Sequence, residues 1–337
     1  MSEAAAPPWD ELERGLIALH AEIQRRVRAA LHQVGESGQW PCAIAGVGAG
    51  DLTYVLDALV EDTIAEGLDA LGRACDTALV LVCEGIGVRE LGATGSAQRA
   101  RLLFDPIDGT RNAMFDLRSA WVLSGVAPDR GEATTLADIE LAVQTEIAPR
   151  DRLHYEVLSA RRGRGARRRL VRLADDALAQ EGALRAPDLP GLDNAFLVFF
   201  AYSPEQRPTV ARWQRDFVRL LEALEGISPR LIYDDQYIAN AGHFHCLVTG
   251  RYRFVADLRD LLVPRLDRAT LTSHPYDLCT ALIAEEAGAI VRASDLGALR
   301  APFSTEGRTG FVGFASKRVQ EKLEPVLRLA ARELPWS

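Results

Sequence analysis

Residues 104–112 read FDPIDGTRN. The stretch closes an apolar run, ARLLFDPIDG, with the length and composition of a buried strand. Pro106 fixes its own backbone and cannot donate a ladder hydrogen bond, so the strand ends here. Asp105 and Asp108 then stand three residues apart, and both carboxylates can face one cavity. Gly109 and Thr110 follow: a glycine lets backbone approach a ligand closely, and free N–H groups at a helix start attract phosphate. Hard divalent cations such as Mg2+ take oxygen ligands, commonly a few carboxylates together with substrate phosphate. Two readings stay open on these residues alone. One is a metal and phosphate site; the other is an acidic turn in which Asp caps a helix and Gly serves the geometry.

Outward from this point, TALVLVCEG (77–85) is a second short apolar run, and it delivers Glu84 at its end. Nearer the N-terminus, Leu12, Leu16, Leu19, Ile23 and Val27 recur at three- and four-residue spacing between Trp9 and Gln33, the pattern of an amphipathic helix. GESGQWPCAIAGVGAGD breaks it, and a second helical pattern starts near Thr53 with Leu56, Leu59, Val60 and Ile64 on one face. Downstream, SAWVLSGVA, DIELAVQTEIA and LHYEVLSA read as successive strands of a largely antiparallel sheet. RRGRGARRR then gathers Arg161, Arg162, Arg164, Arg167, Arg168 and Arg169; without interleaved aromatics it reads as a solvated hairpin.

A composition shift at APDLPGLDN (186–194) separates an N-terminal α+β domain, 1–188, from a C-terminal α/β domain, 189–337. In the second, FLVFFAY, TVARWQRDFVRLLEALEG and PRLIYDD read as strand, helix and strand. YDLCTALIAEEAGAIV reads as a helix that starts just after Asp277 and stops at Gly288; an Asp in that place is ordinarily an N-cap. His243 and His245 read as packing residues of an apolar helix rather than a metal pair, and Trp121 and Phe115 as core.

The composition limits the partners. Of 337 residues 48% are hydrophobic, enough for a substantial core, and the formal net charge of -8 repels nucleic acid and anionic membranes. A phosphate ligand would therefore need a cation beside it. The five cysteines form no C-x-x-C pair and read as reduced and structural. The N-terminus has no basic region followed by an apolar one, and no stretch approaches the roughly 18 apolar residues of a membrane span. The expectation is a soluble cytoplasmic protein with neither nucleic-acid nor membrane partners.

Residues 105–112, DPIDGTRN, resemble the signature of the inositol monophosphatase family, part of the metal-dependent, lithium-sensitive phosphatases that include fructose-1,6-bisphosphatases. That signature is acid-Pro-apolar-Asp-Gly-Thr followed one residue later by Asn, with Arg111 here in the variable place. Thr53, Asp57 and Glu61 look like the family's Thr-x-x-Asp-x-x-x-Glu helix start with one extra residue in the first gap. SARRGRGA is similar to its basic hairpin, and HPYDLCTALIAEEAGAIV resembles its second signature, an aromatic-Asp before a helix ending Glu-Ala-Gly. The resemblance spans roughly residues 10 to 330, and two signatures in the right order make it specific at the family level.

The resemblance implies a layered sandwich of alternating helix and sheet layers, α+β and α/β in class, with the site between the domains. It implies Mg2+ ligands at Glu84, Asp105, the Ile107 carbonyl, Asp108 and Asp277. Glu84, Asp105 and Thr110 would be catalytic, with Glu84 and Thr110 orienting a metal-activated water. Asp108, Gly109, Thr110, Arg111 and Asp277 would contact substrate, the N–H groups of Gly109 and Thr110 holding phosphate. The implied activity is hydrolysis of a small-molecule phosphomonoester, of an inositol phosphate, sugar phosphate or nucleotide, by a homodimer.

Three departures bear on this. Glu84 is followed by Gly85 where the family usually has a second acid. YDDQYIANAGHFHCLVTGR replaces its Gly-Ser-Ala segment, and DLRDLLVPRLDRATLTSHPYD is longer than its counterpart, with Asp257 as a weak candidate for contact to substrate hydroxyls. They suggest a second expectation, a catalytically weak or inactive relative kept as a phosphate-ligand binder or assembly partner. Arg111 reads first as a solvated side chain, with pairing to a second phosphate as the alternative.

Overall fold

The computed structural model describes residues 7–37, 44–47, 52–189, 191–262, 271–334 and 336. The first helical pattern forms α1 (Trp9–Ser37), and its five apolar positions from Leu12 to Val27 are all buried. Strands β1 (Ile44–Val47) and β2 (Leu52–Tyr54) pair antiparallel. The second helical pattern is split into a single turn, α2 (Val55–Ala58), and α3 (Glu61–Ala74). Leu59 falls in the break and is half exposed, although the spacing had put it on the buried face. Cys42 and the side chain of Thr53 lie outside the described residues.

Eight strands follow: β3 (Ala78–Cys83), β4 (Gly87–Gly92), β5 (Arg99–Asp108), β6 (Ala120–Pro128), β7 (Leu141–Ile147), β8 (His154–Arg161), β9 (Gly165–Arg172) and β10 (Leu178–Leu184). They form one sheet in the order β10-β9-β8-β7-β6-β5-β3-β4. Neighbours are antiparallel except β3 and β5, which run parallel with Cys83 opposite Phe104. Glu84, the first residue past β3, and Asp105 within β5 directly follow this pair and so lie on neighbouring stretches of chain. A five-residue helix, α4 (Thr110–Met114), leads from β5 towards β6.

The second sheet runs β12-β11-β13-β15-β14, from β11 (Ala195–Phe199), β12 (Ile232–Tyr233), β13 (Tyr252–Asp257), β14 (Ile290–Ala293) and β15 (Phe311–Phe314). Between its strands come α5 (Arg207–Glu225), α6 (Asn240–Val248), α7 (Arg259–Leu262) and α8 (Ala281–Glu286), with α9 (Lys317–Ala330) last. The expected single helix after Asp277 is a 3-10 turn, Tyr276–Leu278, followed by the separate α8.

Strand alternation sorts these elements into five layers. Leu79, Leu81, Leu102 and Phe104 face one side of the first sheet and pack with Leu16, Ile23, Ile64 and Leu68 of α1 and α3. Val82, Leu103, Trp121 and Leu123 face the other and pack with Phe244 and Leu247 of α6 and Leu282 and Ile283 of α8. That helical layer also meets Val255 and Phe311 of the second sheet, whose far side packs Phe199 and Phe254 on Trp213 and Phe217 of α5 and Leu323 of α9. The result is a helix–sheet–helix–sheet–helix sandwich.

The arginine-rich stretch is the β8–β9 hairpin. Arg168 pairs with Glu156 at 2.6 Å, Arg167 and Arg169 with Glu181 at 2.9 and 3.0 Å, and Arg161 with Asp10 at 3.0 Å. Glu286 accepts the N–H groups of Gly163 and Gly165 at 2.8 Å each, fastening the turn to the end of α8.

Gly125 of β6 sets how closely the segment bearing Asp277 lies on the first sheet. A Cβ at this position would stand 2.5 Å from the Cys279 carbonyl oxygen and 3.0 Å from its Cβ. Gly125→Ala is expected to destabilise the chain by about 1–3 kcal/mol, the usual cost of overpacking. A denaturant midpoint unchanged from the parent would show that the segment yields freely.

Candidate metal centre

A β-bulge aims the two signature acids the same way. Asp105 is opposite Leu123 and Asp108 is opposite Trp121, so the β5 chain advances three residues while β6 advances two. In an unbroken strand two residues at odd spacing face opposite sides; the extra residue restores a common face. That face is the one on which Leu103 and Trp121 meet the middle helical layer. Gly109 then turns the chain with φ +86, a conformation that favours glycine, and a Cβ there would come within 2.9 Å of Ala239 and the Ile238 carbonyl.

Asp277 reaches this point from the 3-10 turn, its Oδ2 accepting the His274 N–H at 2.7 Å, so it does not cap α8. Carboxylate oxygens of Asp105, Asp108 and Asp277 lie within 4.8 Å of one another. Glu84, Ile107, Gly109, Thr110 and Arg111 line the same cleft, together with Phe200, Tyr202, Asn240 and Arg259. Glu84, Asp105, Ile107, Asp108, Gly109, Thr110, Arg111 and Asp277 thus line one cleft.

The electrostatics fit a cation. Asp105 is buried; its Oδ1 accepts the Ile107 N–H at 3.0 Å, while its Oδ2 has no hydrogen-bond partner. Burial, then repulsion from Glu84, Asp108 and Asp277, holds the Asp105 carboxyl well above the usual carboxylate range. Burial also pushes Asp108 up to about 7, opposed by N–H donation from Ala241 and Asn240 and by the charge of Arg259. Such a set keeps protons in isolation and loses them to a hard cation, which prefers oxygen ligands. The donor set and the orphaned Asp105 oxygen therefore fit a divalent metal.

Thr110 lies beside the cluster with its hydroxyl 3.1 Å from Asp57 Oδ1 and 2.9 Å from the Ile107 carbonyl. Asp57 thus enters the site through Thr110. Gly85 has φ +76, and a Cβ there would stand 2.8 Å from Glu61 Oε1. The acid absent from position 85 has a carboxylate of α3 next to its place.

The segment 233–241 is stitched to the signature and the residues that follow it. Asn112 Nδ2 donates to the Ile238 carbonyl at 2.8 Å, Arg118 forks onto Asp235 at 2.6 and 2.7 Å, and Trp121 Nε1 donates to Tyr237 Oη at 3.2 Å. The first N–H groups of α6, from Asn240 and Ala241, hold the two oxygens of Asp108 at 3.2 and 2.6 Å.

Two expectations fail here. Asp257 is fully buried, bound through both oxygens to Arg259 Nε and Nη2 at 2.8 and 2.7 Å and accepting Ser273 Oγ at 2.7 Å, so it offers nothing to substrate hydroxyls. Arg259, which the sequence reading passed over, lines the cleft instead; an Asp-x-Arg at a strand end was the available signal. Phe115, read as core, is 46% exposed because α4 ends before it. His243 and His245 are buried packing residues as expected: His243 sits among Phe200, Tyr237, Tyr252 and Phe311. Its burial lowers its pKa to about 4. Residues 263–270 of the long stretch before Asp277 lie outside the described residues. Among the described residues no helix is long and apolar enough to cross a membrane.

No family model matches the chain. A curated protein of Methanothermobacter thermautotrophicus, "Fructose-1,6-bisphosphatase/inositol-1-monophosphatase", is 24% identical over 323 residues, 94% of this chain and 96% of the relative. Among solved structures, Leishmania major fructose-1,6-bisphosphatase in holo form matches with a TM-score of 0.69 at 14% identity, covering 96% of this chain and 95% of that one. Mycobacterium tuberculosis SuhB matches with a TM-score of 0.57 at 19% identity, covering 93% and 94%. The resemblance first read from the two signatures therefore extends along nearly the whole chain, and the layered fold is shared with these structures.

Proposed function

We propose that this chain is a Mg2+-dependent phosphatase that hydrolyses a phosphomonoester of a small molecule. The observation that carries the reading is the meeting of Asp105 and Asp108 with Asp277, distant in sequence, their carboxylate oxygens within 4.8 Å of one another and Asp105 Oδ2 buried with no hydrogen-bond partner. In this reading Asp105, Asp108, Asp277, Glu84 and the Ile107 carbonyl hold the metal. When bound, the ion supplies positive charge to the phosphoryl oxygens and makes water a stronger nucleophile.

The chain's own groups do the positioning. Asp57 accepts a hydrogen bond from the Thr110 hydroxyl, which leaves a lone pair of the Thr110 oxygen to accept a hydrogen bond from the attacking water, and Glu84 orients that water with it. The N–H groups of Gly109 and Thr110, opened by the left-handed turn at Gly109, bind the phosphate oxygens. Catalysis of this kind is orientation and charge stabilisation, with no covalent intermediate on the protein.

The convergence of the acids and the Asp57–Thr110 contact favour turnover over a role limited to binding. The division into 1–188 and 189–337 belongs to the same reading, supported by the two sheets, one ending at Leu184 and the other beginning at Ala195. A homodimer comes from the family resemblance, and a cytoplasmic location from the sequence expectation.

The test is phosphate release with Mg2+ across inositol phosphates, fructose 1,6-bisphosphate, other sugar phosphates and adenosine 3',5'-bisphosphate. Turnover that depends on Mg2+ and on Asp105 supports the proposal and ranks the substrates. A folded protein that releases phosphate from none of them would count for the binding role.

A further inference from the structure

Asp257 at the end of β13 and Arg259 at the start of α7 form a buried ion pair, and the Ser273 hydroxyl closes it. Ser273 Oγ donates to Asp257 Oδ2 at 2.7 Å and accepts Arg259 Nη2 at 2.8 Å. It accepts one more bond, from Asn240 Nδ2 at 2.7 Å. A hydroxyl has one proton and two lone pairs, so the capacity of Ser273 Oγ is used in full. A buried polar network whose members are satisfied in this way fixes one arrangement of the chain.

That arrangement supports the acid cluster from two sides. Asn240 is the first residue of α6, and its N–H joins that of Ala241 in holding Asp108. Ser273 precedes His274, whose N–H binds Asp277 Oδ2 at 2.7 Å. The Ser273 backbone is tied down as well, its carbonyl accepting the Thr309 N–H at 2.9 Å. The Ser273–Asn240 contact therefore links the support of Asp108 to the support of Asp277, two acids brought together from distant parts of the chain. The chemistry already assigned to the site uses neither the Ser273 hydroxyl nor the Asn240 amide.

We propose that Ser273 and Asn240 are positioning residues of the metal centre, which fix Asp108 relative to Asp277 and thereby favour a small divalent cation over a larger one. Mg2+ demands near-ideal octahedral geometry at about 2.0–2.1 Å, whereas Ca2+ accepts roughly six to eight oxygens at about 2.3–2.6 Å in flexible arrangements. Acids kept at one separation suit the first ion; acids free to spread suit the second. The proposal rests on the metal reading and deepens it by naming what sets the choice of ion.

Mg2+ and Ca2+ are titrated separately by calorimetry into wild type, Ser273→Ala, Asn240→Ala and the double variant, with melting curves to confirm folding. Ser316→Ala is the control. Ser316 Oγ caps α9 by accepting the Val319 N–H at 3.4 Å and does not line the cleft, so its loss lowers stability alone. Each site variant is expected to weaken Mg2+ binding about ten- to a hundredfold, the usual range for partners of metal ligands. Ca2+ binding should suffer less, so that the Mg2+/Ca2+ affinity ratio falls about tenfold. Because the two residues act through one contact, the double variant should lose no more than the larger single loss. Ser316→Ala should leave the ratio unchanged. If Ser273→Ala does not fold, Asn240→Ala decides, since it leaves the contacts among Asp257, Arg259 and Ser273 in place. A ratio unchanged or raised in the folded variants, or losses that multiply in the double variant, overturns the proposal and leaves the metal reading standing. Wild type that binds neither ion overturns the metal reading, and the proposal with it.

Discussion

Asp105→Asn is expected to lower phosphate release by about 10³-fold or more while raising the melting temperature of the metal-free chain. The two effects have one origin. Asp105 is buried, one of its oxygens has no partner, and it faces Glu84, Asp108 and Asp277, so its ionised form is opposed from every side unless a cation is present. Asn keeps the Oδ1 that accepts the Ile107 N–H and replaces the orphaned Oδ2 with an N–H donor among acids. It removes a repulsion that the unfolded chain does not feel. The metal-free variant should therefore melt several degrees higher at pH 8, since each 1 kcal/mol is worth about 2–4 °C at this size. Calorimetry of both proteins in EDTA, beside phosphate release with Mg2+, makes the comparison. A variant that loses activity and melts lower would mean that Asp105 is a structural acid and that the metal reading is wrong.

The sequence showed the site more fully than the frame around it. β3 and β5 are apolar on both faces because helical layers cover both, and such runs announce themselves; the acids that close them were therefore easy to name. The edge strands were not foreseen. β4 has no fully buried residue and β10 only Leu184, so neither offers the alternation by which a strand is recognised. Spacing also could not reveal the bulge between Asp105 and Asp108, because a shift of one residue in register exists only relative to β6. Asp257 and Arg259 illustrate the complementary limit. An acid and a base two residues apart look equally able to face a ligand, and only the packing decides that they bind each other and leave the arginine on the cleft wall. Glu61 beside Gly85 is the same case: the sequence displayed the loss of an acid, while its neighbour in space belonged to α3.

Affinity for Mg2+ is expected to fall by roughly one to two powers of ten per pH unit below pH 7, since cation binding must displace the protons that the cluster keeps in isolation. Asp108 keeps a proton up to about pH 7, and Asp105 keeps one well above the usual carboxylate range. For the metal-free chain the sign is opposite. Both carboxyls have folded pKa values above the ordinary 3.8, so the folded state binds more protons than the unfolded state once pH exceeds that value. Their contribution to stability is complete below about pH 4 and is lost as pH rises through the folded values, ending near 7 for Asp108. Saturating Mg2+ stabilises by mass action where its affinity is greatest, at the alkaline end of the same range. The gap between melting temperatures with and without Mg2+ should accordingly widen from pH 6 to pH 8, and calorimetric titrations in buffers of different ionisation enthalpy should register protons released on binding. A gap independent of pH, with no proton release, would place the cation somewhere other than Asp105 and Asp108, because no ion can occupy that cluster without taking the place of its protons.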